Sequence, residues 1–347
     1  MRDWGRGAAR AALVAAATGW LGGIAQAQDG MPSAKRLASM KADYKRPPPR
    51  PVDNKALVDL GHRLFYDPRV SASGKTSCAS CHFSNLAWAT NDPKNRSDSG
   101  KLTSRRSQTL LGIGYTEGPI GWDGRTATLE AQAKSSIATG SMSMSQTDTP
   151  VKVEVIEARI RAIPEYIAML KAALPGAELD LDAIGKAIAA YERTMEPGIA
   201  PFDRWLEGDE SAISPSAKRG FVLFNGKAEC SLCHSGWRFT NDTFHDIGVA
   251  VKDLGRGKEV KDEVLMQHAF KTPTLRSVAV RAPYMHDGSS ADLHQVVKHY
   301  EKGGIDRPSR SPLIKPLTLT DTERADLVAF METLTGAGEA EPPPKLP

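Results

Sequence analysis

All four cysteines of this 347-residue chain fall in two short motifs, Cys78-Ala79-Ser80-Cys81-His82 and Cys230-Ser231-Leu232-Cys233-His234. In a C-x-x-C-H segment the two thiols can add across the two vinyl groups of one haem, and the histidine that follows is placed to ligate the iron. The spacing therefore predicts two covalently bound haem c groups. Cys78, Cys81, Cys230 and Cys233 are the attachment points, with His82 and His234 as proximal iron ligands. A structural zinc site needs closed sets of four ligands, and the remaining histidines show no H-x-x-x-H pair. A thioredoxin-like redox motif needs a βαβ pattern that neither motif has around it.

An exported protein would normally pair its cysteines as disulfides, so the use of every cysteine in these motifs matters because the chain does read as exported. Arg2, Arg6 and Arg10 precede an apolar run from Ala11 to about Ala25, and Ala25-Gln26-Ala27 forms a small-residue cleavage site. Residues 1–27 are expected to be a signal peptide and the mature protein periplasmic. The run is short for a membrane span and is interrupted by Gly22 and Gly23, so no stable membrane span is expected after cleavage. Residues 28–52, rich in Pro, Lys and Arg, read as an extended lead-in, and residues 336–347 as a flexible tail. A net charge of +4 from 45 basic and 41 acidic residues, with no long basic block, gives no support for a nucleic-acid partner.

The two halves repeat more than the motif. Gly61-His62-Arg63-Leu64-Phe65 precedes the first and Gly220-Phe221-Val222-Leu223-Phe224 the second. Downstream, Thr109-Leu110, Trp122-Asp123-Gly124 and Leu129 are echoed by Thr274-Leu275, His286-Asp287-Gly288 and Leu293. Helical apolar spacing recurs in Val151 to Leu170, Leu181 to Met195, Leu293 to Tyr300 and Thr322 to Leu334. Ser214-Pro215 opens one helix, and Asp321 is the expected cap of another. The fold class expected is mainly α: two tandem cytochrome c-like haem domains with long loops, over residues 53–205 and 214–335.

These features resemble the bacterial di-haem cytochrome c peroxidase family over nearly all of the mature chain. The matching segments are Leu64 to Arg69, Ser77 to His82, Trp122 to Arg125 with Leu129 to Gln132, Pro273 to Arg276, and Ala282 to Gly288. The resemblance implies an N-terminal haem where hydrogen peroxide reacts, a C-terminal haem that stores or relays electrons, and a tryptophan between them, here Trp122. It also implies a partner, a periplasmic electron donor or substrate protein. In peroxidases the sixth ligand of the C-terminal haem is typically methionine, on the helix after the P-Y-x-H-x-G segment; in the MauG branch it is tyrosine. Here that helix is similar to the MauG branch, with Tyr300 in the ligand position and His299 beside it as the competing ligand. An anionic phenolate stabilises high-valent iron better than a thioether does. Met285 is read as core packing.

Tyr300 follows Asp287 by 13 residues, and 13 residues after Asp123 is Ser136, too weak a ligand to cap iron. No histidine lies between His82 and His234, so the N-terminal iron is expected to be five-coordinate or water-bound. The resemblance places Gln132 in the peroxide pocket, but Met142 falls where family members carry a distal Glu for general acid/base work. Met142 and Met144 are then iron ligands or mobile surface methionines. The family also holds a calcium ion between the haems through an Asn and a backbone carbonyl. Arg106 and Arg281 stand at those positions, and guanidinium groups are poor neighbours for a divalent cation, although a backbone oxygen at Arg281 can still serve, so a bound calcium stays open.

The leading expectation is a peroxide-using oxidoreductase of the MauG type that oxidises a partner protein or donor through the Tyr300-ligated haem. The alternatives are an ordinary cytochrome c peroxidase, drawing its electrons from cytochrome c, and a non-enzymatic di-haem electron carrier.

Overall fold

The computed structural model describes residues 31–347 except Val251 and Glu339; the expected signal peptide, residues 1–27, lies outside the described residues. The chain is mainly helical, with ten α-helices and one two-residue antiparallel pairing, Phe244–His245 against Phe270–Lys271, among the described residues. Two hydrophobic clusters form its cores.

The first core is built where α2 (Lys55–Tyr66) crosses α6 (Leu181–Glu192), burying Leu60, Leu64, Phe65, Ile184 and Ile188. Gly61 permits the crossing, because a Cβ there would lie 1.8 Å from the Ala187 carbonyl oxygen. The second core repeats this device. There α8 (Pro215–Asn225) crosses α10 (Asp321–Glu332), and a Cβ on Gly220 would lie 1.9 Å from the Asp326 carbonyl oxygen. Phe202, Phe221, Phe224, Phe239 and Phe330 fill this half. α3 (Leu129–Ala138) packs on α6, and α9 (Leu293–Lys302) on α10.

Several local expectations are corrected. The lead-in contains a helix, α1 (Ala34–Ala42), capped by Ser33 and packing Leu37, Met40 and the following Tyr44 onto the second core. The Pro- and Lys-rich composition hid that apolar spacing. The segment from Val151 divides into α4 (Val153–Arg161) and α5 (Pro164–Ala173), because Pro164 forces Ile163 into an extended conformation and restarts the helix at its first position. α7 (Pro201–Leu206) buries Phe202 and Trp205 in the second core. Thr320, not Asp321, caps α10, in a reciprocal box with Glu323. The C-terminal tail lies along the first half. The Glu341 carboxylate accepts from the Tyr191 hydroxyl at 2.8 Å, its carbonyl from Ser84 at 2.9 Å, and the Lys345 carbonyl from Arg63 at 2.6 Å.

Candidate active site

The motif histidines are oriented identically. His82 Nδ1 lies 2.9 Å from the Trp88 carbonyl and His234 Nδ1 2.9 Å from the Phe239 carbonyl. A carbonyl only accepts, so each Nδ1 carries the proton and each Nε2 keeps a free lone pair, the form that binds a metal. Burial lowers the pKa of both, His234 to about 4, and so keeps them neutral. The repeated threonines brace the same loops. Thr109 Oγ1 donates to the Ala87 carbonyl and Thr274 Oγ1 to the Arg238 carbonyl, each at 2.5 Å, one residue before the carbonyl that holds the histidine.

In the C-terminal half, Cys230, Cys233, His234 and Tyr300 share the wall of one apolar cavity. Leu293, Val297 and Tyr300, spaced along one face of α9, also line it. Burial pushes the Tyr300 phenol well above its usual range, helped by the Cys233 and Cys230 thiols across the enclosure. His299 points elsewhere, its Nε2 donating to the Ile247 carbonyl at 2.8 Å. Met285 is half-buried and lines the cavity instead of packing in a core. Two thiols, a free imidazole nitrogen and an apolar enclosure fit a covalently attached haem.

The N-terminal half differs at the position equivalent to Tyr300. Ser136 on α3 donates to the Gln132 carbonyl at 3.0 Å. The Gln132 side chain is itself fixed: Oε1 accepts from the Thr126 hydroxyl at 2.7 Å and Nε2 donates to Ser136 Oγ at 3.4 Å. Met142 is 4% exposed within the first core, so it is not a surface methionine, and Met144 is half-buried. Cys78 packs against that core.

Sequence reasoning missed Glu192 at the end of α6. It is 7% exposed, its Oε2 is buried without a hydrogen bond, and its charge is felt by the Cys78 thiol. Only its place in an apolar stretch, Ala189-Ala190-Tyr191-Glu192, signalled it.

The repeated turns meet between the halves. Trp122 and His286 occupy equivalent positions, their rings 6.3 Å apart edge to face, and both line the C-terminal cavity. The Trp122 indole N–H donates to the Arg106 carbonyl at 2.9 Å, and the Arg106 amide donates to the His286 carbonyl at 3.0 Å. His286 is 3% exposed and stacks on Phe270; burial lowers its pKa to about 4.

Comparisons with known proteins agree with this arrangement. A family model described as di-haem cytochrome c peroxidase matches residues 55–211, and a cytochrome c model matches residues 217–335. The methylamine utilization protein MauG of Methylorubrum extorquens is 44% identical over 91% of this chain and 90% of its own length. The cytochrome c551 peroxidase of Nitrosomonas europaea is 31% identical over 82% of this chain and 81% of its own length. Among solved structures, a MauG-like protein associated with microbial copper homeostasis superposes with a TM-score of 0.75 at 29% identity, covering 85% of this chain and 95% of that one.

Proposed function

The chain belongs to the di-haem cytochrome c peroxidase/MauG family, and on that premise we propose that it is a MauG-type periplasmic oxidoreductase which takes hydrogen peroxide at its N-terminal haem and oxidises a partner protein or donor. Its membership makes it a di-haem peroxidase-type oxidoreductase with two covalently bound c-type haems. No helix among the described residues is long and apolar enough to cross a membrane.

The observation that carries the MauG-type reading is the asymmetry between equivalent positions. Tyr300 projects into the C-terminal cavity, whereas Ser136 folds back onto its own helix. When bound, the haems supply the redox chemistry: hydrogen peroxide takes two electrons and two protons to give two waters. Ser136 leaves room for peroxide in the N-terminal half. Gln132, pinned by Thr126, orients it, and water relays the protons that a distal carboxylate would otherwise carry. Trp122, held by Arg106, lies between the halves on the path for charge. Tyr300 would hold the iron of a haem bound in this cavity, and as a phenolate it would favour the more oxidised metal. The two electrons come from the partner.

Stopped-flow spectra of the diferric protein with one equivalent of peroxide test this. The haem bands are expected to shift, and two oxidising equivalents to be recoverable by back-titration. Tyr300→Phe is expected to remove the low-spin ferric signal and leave the high-spin one. Bands that stay at rest for minutes, with nothing to titrate, make the protein an electron carrier. Fast turnover with reduced cytochrome c makes it an ordinary peroxidase. Loss of the low-spin signal in His299→Ala but not in Tyr300→Phe moves the ligand to His299.

A further inference from the structure

The wall of the C-terminal cavity contains two buried guanidinium groups, Arg106 and Arg281. The Tyr284 phenol lies within the electrostatic reach of both. Their roles differ. Arg281 ties down its own loop, Nε donating to the Ser277 carbonyl at 3.1 Å and the second amine to the carbonyls of Thr274 and Arg276 at 2.8 and 3.0 Å. Arg106 is 6% exposed and makes one side-chain bond, to the Thr90 carbonyl, while its Nε is buried without a partner. Among the described residues no carboxylate pairs with Arg106; Asp92 acts on it only at longer range. Burial lowers its pKa to about 10, which still leaves it a cation at neutral pH.

A buried cation without a counter-charge is costly unless something anionic completes it. This one stands where family members place a calcium ligand, on the segment that also holds Trp122 and the His286 loop. Calcium does not fit here. A hard divalent cation needs several anionic or carbonyl oxygens, and no cluster of three acidic, His or Cys ligands occurs among the described residues. The Arg281 main-chain oxygen alone falls short of such a set, and the carbonyls of Thr90, Thr274, Arg276 and Ser277 already accept from the two guanidinium groups.

We propose that the junction between the two haem sites works without calcium, and that the Arg106 guanidinium is its resident cation, the counter-charge to the carboxylates that a haem brings into the C-terminal cavity. Arg106 is thus a positioning residue. Its main chain holds Trp122 and the His286 loop, while its side chain neutralises the cofactor's acid groups. The inference rests on haem content alone and not on the peroxide chemistry, so it stands or falls separately from the function proposed above.

A fixed positive charge beside a haem favours the reduced state, because reduction adds negative charge. Spectroelectrochemical titration of the purified holoprotein tests this with Arg106→Gln and Arg106→Lys, alongside metal analysis of the wild type. We expect no stoichiometric calcium in the wild type and no change in its haem spectra with EGTA or added calcium. In Arg106→Gln the reduction equilibrium of the C-terminal haem should shift at least fivefold toward the oxidised form, and Arg106→Lys should restore most of it. Stoichiometric calcium whose removal changes the spectra overturns the proposal. So does an unchanged equilibrium in Arg106→Gln, or a shift equally large in Arg106→Lys, which would mark a purely structural role. If neither variant folds, the wild-type calcium measurements decide.

Discussion

Glu192 shows how much one side chain's surroundings decide. The same carboxyl on a helix surface would be ionised and inconsequential, but burial at the end of α6 raises its pKa from 4.5 to about 8, with Arg193 opposing and Glu130 reinforcing the shift. A carboxyl whose folded pKa lies above its unfolded one contributes stability that is complete below about pH 4.5 and is lost as pH rises through 8. Glu192→Gln should remove that loss, raising stability at pH 9 by about 1–3 kcal/mol with little change at pH 5. Thermal melts at the two pH values measure this, and equal slopes in variant and wild type would reject it. Ser136 is decided by its surroundings in the opposite sense. Its hydroxyl turns back to the Gln132 carbonyl and leaves the position open. Ser136→His should cap the N-terminal haem, replacing its high-spin signal with a low-spin one and abolishing the reaction with peroxide. Retained high-spin character in electron paramagnetic resonance would show that this helix position does not face the iron.

At the scale of elements, the two halves use one construction. A glycine in the helix before each motif lets a later helix lie against its backbone, Gly61 on Ala187 and Gly220 on Asp326. Because the contact is with main chain, no rotamer change relieves an added methyl group. Gly61→Ala and Gly220→Ala should each cost stability at or above the upper end of about 1–3 kcal/mol. The damage should be local, with Gly220→Ala loosening the C-terminal haem and Gly61→Ala the N-terminal one, read from the separate low-spin and high-spin signals during denaturant titration. Equal tolerance of alanine at both positions would mean that the crossings are looser than they look. The elements also show where periodicity misleads. Residues 151–170 have one apolar period but two helices, because Pro164 cannot continue the first.

Across the whole molecule, the halves are joined by ion pairs and main-chain bonds around the Trp122 turn. Arg105 donates to Asp123 at 2.6 Å and to Asp253 at 2.6 and 2.9 Å, joining both halves. Arg256 reaches the carbonyls of Asp123 and Gly124 at 3.1 and 2.6 Å. Arg105 and Lys258 hold the Asp253 carboxyl well below the usual carboxylate range, outweighing its burial. A depressed carboxyl pKa contributes stability that is present above the unfolded value and is lost as pH falls. Removing one partner of a buried pair typically costs about 3–5 kcal/mol. Arg105→Met should cost about that much, because Lys258 still pairs with Asp253 at 2.9 Å but buried Asp123 loses its 2.6 Å partner. The penalty should be greatest near neutral pH and shrink as pH falls below about 4, where protonation of the unfolded carboxyls begins to erode the wild type's advantage. Melting curves between pH 3 and 7 measure this, and a penalty that does not vary with pH would place the effect of Arg105 in packing.

The haem content and the mainly helical tandem fold were legible in the amino-acid sequence, because covalent attachment demands adjacent residues in fixed order and each C-x-x-C-H motif supplies them. The repeat was legible for the same reason: Gly61 and Gly220, or Thr109 and Thr274, serve their motifs at constant spacing. What depends on residues far apart in the chain was not. That α1 completes the second core, that the tail lies on the first, that Glu192 is buried without a partner, and that Arg106 stands unpaired beside Trp122 are outcomes of packing. Burial and the matching of charges are properties of neighbours in space, and only the tertiary structure assigns those.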